Sequence, residues 1–166
     1  MYHTIEEFLA DWSYENSSTQ KLLDLLTDGS LTTRVAEGER TLGFLAWHIV
    51  VSIHEMMSRV GLEFDAPHHD AKLPASAKEM AEAYKKASYN LVAAMREQWS
   101  DADLSIEHDM YGEMWSSAKT LDILVKHQIH HRGQLTLLMR QAGLAMVGMY
   151  GPSREEWKMY GGEVPE

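Results

Sequence analysis

The run from Thr120 to Gly143, TLDILVKHQIHHRGQLTLLMRQAG, constrains this chain more than any other stretch: it is the longest periodic segment and holds three of the nine histidines. Leu121, Leu124, Leu135, Leu138 and Met139 recur at three- and four-residue spacing, which predicts an amphipathic helix. Gly143, following Arg140, supplies a stop with a cation in the last turn. On such a helix His127 and His131 are one turn apart, with Cβ atoms ~6 Å from each other. They fall on the apolar stripe of Leu124, Leu135 and Leu138, so two imidazoles face where a bundle puts its core.

Imidazoles at this spacing can converge on one ion, each at about 2.0–2.1 Å. The spacing is weak evidence by itself. Nine histidines in 166 residues produce about half an HxxxH pair by chance, and a buried histidine bonded to a carbonyl or carboxylate is the competing reading. A third ligand decides between them, because catalytic sites combine three protein ligands with an open position.

Composition narrows what else the chain can be. Cysteine is absent, which removes disulfides, thiolate metal sites and a cysteine nucleophile and leaves His, Asp and Glu as ligands. A formal net charge of −10 repels phosphate backbones, so no nucleic-acid partner is expected. No apolar run reaches the ~18–20 residues of a membrane span, and the polar, acidic sequence after Met1 is unlike a signal peptide. A cytoplasmic protein with no membrane partner is the expectation. At this length one domain over 1–166 is expected.

Thr4 and Glu7 make a capping box for a first helix over about 4–27, with apolar positions from Ile5 to Leu26 and a middle weakened by Ser17 and Ser18. Residues 31–40 read as a connection with a turn at Gly38. Thr41 caps a second helix that Gly61 closes; its stripe runs through Leu42, Leu45, Ile49, Ile53, Met56 and Val60, and His48 lies beside that stripe. His54 is turned about 120° from His48 and reads as a rim residue. Glu55, two turns after His48 and on nearly the same face, reads first as a solvated helix charge and second as a carboxylate at the rim of the site.

Segment 62–74 is a loop, in which His68, His69 and Asp70 read as solvated more readily than as a cation site. Ser76 and Glu79 cap a third helix to about Trp99. Alternation between Asp101 and Ser116, broken at Tyr111-Gly112, predicts a short hairpin or crossover. The fold class is therefore all-α: an antiparallel four-helix bundle with a long crossover or short hairpin between the third and fourth helices. Residues 151–166 are expected to form a loose C-terminal tail.

Three blocks, LGFLAWHIV in the second helix, HQIHHRGQL in the fourth and MYGPSREEW after it, resemble the DinB/YfiT-like metalloproteins in order and separation. The HxxxHRGQL block is the specific one. The resemblance implies a four-helix bundle, a divalent metal ion (zinc, nickel, iron or manganese) held by His48, His127 and His131, and a homodimer. It further implies transfer to or from a small thiol, or hydrolysis. It carries no residue assignment beyond the three ligands; the sequence identifies no catalytic residue and no organic cofactor site. Residues 144–148, LAMVG, lack the prolines frequent in the family at that point.

Within the motif, His130 points about 100° from His131 and is unsuited to be a fourth ligand. Gly133 costs ~1 kcal/mol of helix stability against alanine, which suggests close approach by a neighbouring helix or a dimer partner. Arg132 and Gln134 are expected to hydrogen-bond behind the ligands or between helices. Three functions remain open at this point: a metal-dependent enzyme, a non-catalytic metal or small-molecule binding protein, and a structural dimer whose histidines are core polar groups.

Overall fold

A computed structural model describes residues 1–161. Four helices, α1 (Ile5–Leu23), α2 (Leu42–Arg59), α3 (Ala77–Gln98) and α4 (Ser117–Gln141), account for most of them, with one hairpin, β1 (Glu107–Met110) and β2 (Glu113–Ser116), ahead of α4. The fold is a helical bundle, as its sequence predicts. The last five residues of the expected tail, 162–166, lie outside the described residues.

Local chemistry starts each helix. Thr4 and Glu7 form the reciprocal capping box of α1. The side chains of Thr41, Ser76 and Ser116 accept from the backbone N–H of Phe44, Glu79 and Lys119 at the heads of α2, α3 and α4. Each satisfies an N–H that has no partner inside its helix. Two boundaries differ from the sequence reading. α1 stops at Leu23, because the chain tightens into three-residue turns, with Leu25 and Leu26 donating to Leu22 and Leu23. α4 begins at Ser117 rather than Thr120, because Ser116 closes β2 and caps the helix at once. Ser17 and Ser18 do not break α1; Ser18 and Thr19 are buried.

α2 packs against α3 and α4, and α1 packs against the same two helices. Cross-links set the directions. Trp12 donates to Ser88 and Gln20 to the carbonyl of Ala81, so α1 and α3 run oppositely. α2 and α4 are likewise opposed: His48 meets His127 in mid-helix, while Glu55 reaches back to Tyr111, ahead of α4. At the far end of α2, Gln98 of α3 pairs with the backbone of Glu63, so α2 and α3 end together. Two helices thus run each way. Having left α2 at Val60, the chain must return along the bundle before α3 can begin, and segment 60–76 makes that journey. Trp47 Nε1 donates to the Ala71 carbonyl at 2.9 Å and Asn90 to that of Asp65 at 2.6 Å, tying the returning strand to both helices.

The core is continuous. Leu45, Ile49, Leu121, Leu124, Leu135 and Leu138 are all buried, together with Trp12, Tyr84 and Phe8. Burial of this kind contributes ~25 cal/mol per Å² of apolar surface and dominates the favourable side of folding. Two polar side chains inside it, Gln128 and Arg132, are held by hydrogen bonds. Gln128, fully buried, donates to the Ile49 carbonyl at 3.1 Å and accepts from Tyr84 at 3.3 Å, locking α4 to α2 one residue from His127 and His48. Arg132, also buried, donates to the backbone and carboxylate of Glu15, to Thr19 and to Tyr150, locking α4 to α1 one residue from His131.

Candidate metal centre

Gln128 and Arg132 set the rotation of α4, and that rotation turns His127 and His131 towards α2. His48, in the second turn of α2, stacks on Phe44 with ring centroids 6.2 Å apart and meets both α4 imidazoles nearly edge-on. The Nε2 atoms of His48 and His127 are 3.2 Å apart, and those of His131 and His127 3.1 Å. Imidazole nitrogens bound at ~2.05 Å to one ion lie ~3.3 Å apart in a tetrahedron and ~2.9 Å apart as octahedral neighbours. The observed separations fall between those limits.

Protonation fits the same picture. Nδ1 of His131 lies 2.8 Å from Gln134 Oε1. Gln134 Oε1 can only accept, so Nδ1 carries the hydrogen and Nε2 keeps its lone pair for the cluster, the orienting role of an outer partner in metal sites. Burial, reinforced by neighbouring His131 and His48, lowers the pKa of His127 to about 4. Burial first, then His131, lowers that of His48; burial lowers His131 as well, against the opposing bond to Gln134. All three are neutral donors at pH 7. Among the described residues no carboxylate bonds to any of them, and Nδ1 of His127 is buried without a partner. The competing reading of core histidines satisfied by a carbonyl or carboxylate therefore finds its bond at His131 alone, through Gln134, and none at His127. The three ligand atoms are close enough to share one ion.

A cavity of ≈390 Å³ opens beside His48 and His127. Val51, Met56 and Ile123 make its apolar lining; Glu55, His69, Tyr111 and Ser52, whose hydroxyl donates to the Ile49 carbonyl, make the polar remainder. Glu55 is thus not a freely solvated charge. Its side chain is 21% exposed, accepts from Arg59 Nε at 2.6 Å and from the Tyr111 hydroxyl at 2.6 Å, and borders the cavity. A larger cavity, ≈570 Å³ around Asn16, Ser88 and Tyr89 on α1 and α3, contains no group of ligating side chains.

The remaining sequence candidates separate cleanly. His54 is half-buried against Phe64 and His68, outside the triad. His130 is exposed and reaches Gln134, not the cluster. His68, His69 and Asp70 form a second, exposed group of possible ligands, in which His68 Nδ1 already lies 2.7 Å from Asp70 Oδ1. Gly133 is exposed, and a Cβ there would meet nothing within 4 Å, so no helix of this chain approaches it. Met149 and Tyr150, just ahead of the tail, bond to Tyr14 and Glu15 of α1, and Glu155 within it pairs with Arg140 of α4, away from the cavity lining. Sequence reasoning missed Gln128, Glu15, Tyr111 and Tyr150. A polar residue at Gln128, one turn after Leu124 on the buried stripe, was the available signal for the first.

A four-helix bundle carrying one histidine on its second helix and an HxxxH pair on its fourth defines a class of helical proteins with a three-imidazole centre. The DinB family model matches residues 1–164, and the chain belongs to the DinB family. It is 43% identical over its whole length to the uncharacterized protein YrdA of Bacillus subtilis (strain 168), covering 99% of that protein. A crystal structure of a DinB-like protein from Bacillus cereus ATCC 10987 superposes with a TM-score of 0.87 at 47% identity, over 90% of this chain and all of that one. The DinB-like protein YjoA of Bacillus subtilis shares the fold, with a TM-score of 0.69 at 18% identity over 89% of this chain and 99% of that one. No helix among the described residues is long and apolar enough to cross a membrane.

Proposed function

We propose that His48, His127 and His131 hold one divalent metal ion whose open coordination positions face the ≈390 Å³ cavity, and that the protein is a metal-dependent enzyme acting on a small molecule. The observation that carries this reading is the convergence of three neutral Nε2 atoms with no carboxylate to explain it. A divalent ion there would lower the pKa of bound water or hold a thiol as thiolate, so no protein nucleophile is required. Small-thiol transfer and hydrolysis are the two reaction classes the family resemblance supports. The second reading, a non-catalytic metal or small-molecule binding protein, uses the same site. A second copy of the chain is the proposed partner; exposed Phe44 and Leu137 and the open space at Gly133 support it.

Elemental analysis of protein purified without a histidine tag tests the centre. One equivalent of zinc, nickel, iron or manganese is expected in the wild type and none in the variant with alanine at all three positions. Equal metal content in the two overturns the reading. Turnover of a thiol with electrophile and ester panels then separates enzyme from binding protein.

A further inference from the structure

Tyr111 is the one non-glycine among the described residues with positive φ, at 62°. With Gly112 at 87° it forms a two-residue hairpin turn of the type that asparagine or aspartate fills easily and tyrosine does not. A strained residue persists only when its surroundings hold it there. Here the hydroxyl donates to Glu55 Oε2 at 2.6 Å, the Arg59 guanidinium stands 4.7 Å from the ring centroid, and Trp115 packs edge-on at 5.9 Å. The turn therefore delivers a phenol to α2, at the lining of the cavity that also holds His48 and His127.

Counting donors fixes what this pair can offer a ligand. Tyr111 has one hydroxyl proton, and it is committed to Glu55. The other oxygen of Glu55 accepts from Arg59 Nε. What remains is lone pairs on the phenol and the carboxylate, with no proton to give. Burial, then the bond to Glu55, holds the Tyr111 pKa well above the usual tyrosine value, so that proton stays in place at any physiological pH. An acceptor-only patch beside Val51, Met56 and Ile123 suits a short apolar body ending in N–H groups, and the net charge of −10 favours a cation.

We propose that Glu55 and Tyr111 form the recognition pole for an amine, so that the cavity takes small molecules with a primary ammonium at one end and a metal-binding group at the other. This rests on the reading that the cavity beside the triad is the ligand site. Arg59 is the modulator: it occupies half of the carboxylate from an exposed position.

Binding can be read with or without metal, by following Tyr111 ring resonances in protein labelled with carbon-13 tyrosine. The probes are n-butylammonium, N,N,N-trimethylbutylammonium and n-butyrate, each titrated into metal-free and zinc-treated protein. We expect n-butylammonium to bind about tenfold tighter than either of the others, the scale of a hydrogen bond to a charged group. Glu55→Gln should shrink that preference to about twofold. Arg59→Gln, a surface change that leaves the bundle intact, should instead strengthen n-butylammonium binding severalfold and leave n-butyrate unmoved. Trimethylbutylammonium binding as well as n-butylammonium removes the N–H requirement and overturns the proposal. So do butyrate binding as well as the amine, failure of every probe to shift Tyr111, or a preference that neither substitution changes. If zinc fails to bind while the amine preference stands in metal-free protein, the metal reading alone has failed.

Discussion

Two groups of histidines lie within one face of this molecule, and they could hardly be placed more differently. His48, His127 and His131 rise from two helices locked together by Gln128, and they converge where no acid bonds to them. His68 and His69 stand exposed on the returning segment, and His68 has already found Asp70. The residue type is the same; the alternatives open to it are not. On the loop, water and a neighbouring carboxylate satisfy the imidazole. In the bundle no carboxylate bonds to the imidazoles, Nδ1 of His127 is buried without a partner, and leaving a polar atom so costs free energy. Rigidity and isolation, rather than the count of histidines, distinguish the converging cluster from the solvated one.

The largest expected effect comes from loosening that rigidity. Arg132→Met leaves Glu15 buried and uncompensated, and should cost about 3–5 kcal/mol of stability. Chemical denaturation measures it. Because Arg132 adjoins His131, metal affinity should fall as well, whereas a change confined to the loop, such as Asp70→Ala, should alter neither by much. A variant as stable as the wild type would show that the Glu15–Arg132 pair contributes little to holding α4.

Next in size is the metal's own contribution. At a free metal concentration one hundred times Kd, binding stabilises the fold by about 2.7 kcal/mol, which for a chain of this length raises Tm by about 5–10 °C. A chelator should remove that increment from the wild type and from His54→Ala, His68→Ala and His130→Ala, and should leave His127→Ala nearly unaffected. If His68→Ala lost the increment and His127→Ala kept it, the two clusters would have exchanged roles.

The third effect is that of acid on the metal-free protein. The pKa of His127 is lowered to about 4 in the fold, against about 6.5 in an unfolded chain. The unfolded state therefore binds the extra proton first, and stability present above pH ~6.5 is lost as pH falls towards ~4. Metal loss should follow the same direction, since protons compete for the ligand atoms. Unfolding followed against pH should show this loss diminished in His127→Ala. Histidine NMR of the metal-free protein should place the His127 midpoint far below that of an unfolded-state imidazole.

What was legible in the sequence was local. Thr4, Thr41 and Ser76 announce helix starts because a cap acts over three residues, and the leucine stripes reveal buried faces because the helical period is short. The HxxxH pair is visible for the same reason. That His48 belongs with it depends on α2 lying beside α4, which resemblance to a family supplied and spacing did not. Contacts spanning long stretches of chain were invisible: Arg132 to Glu15, Tyr111 to Glu55, Gln128 to Ile49. Glu55 looked like an ordinary surface charge because its partner comes from a hairpin more than fifty residues away. Tyr111 was recognisable as a turn residue, but nothing in one dimension indicates which helix its ring will reach.

Segment 60–76 is anchored in the core by Val60 and Leu62, and beyond that anchor it lends His69 to the edge of the cavity. Its ties run mainly to its own carbonyls, from Trp47 and Asn90, and a carbonyl is present whatever side chain stands at that position. His69, the residue of this segment that lines the cavity, can therefore be exchanged while the path of the chain is preserved. Surface connections tolerate such change at small thermodynamic cost. The architecture thus divides two tasks: the helices fix the three imidazoles, and the passage between the second and third can change its side chains without moving them.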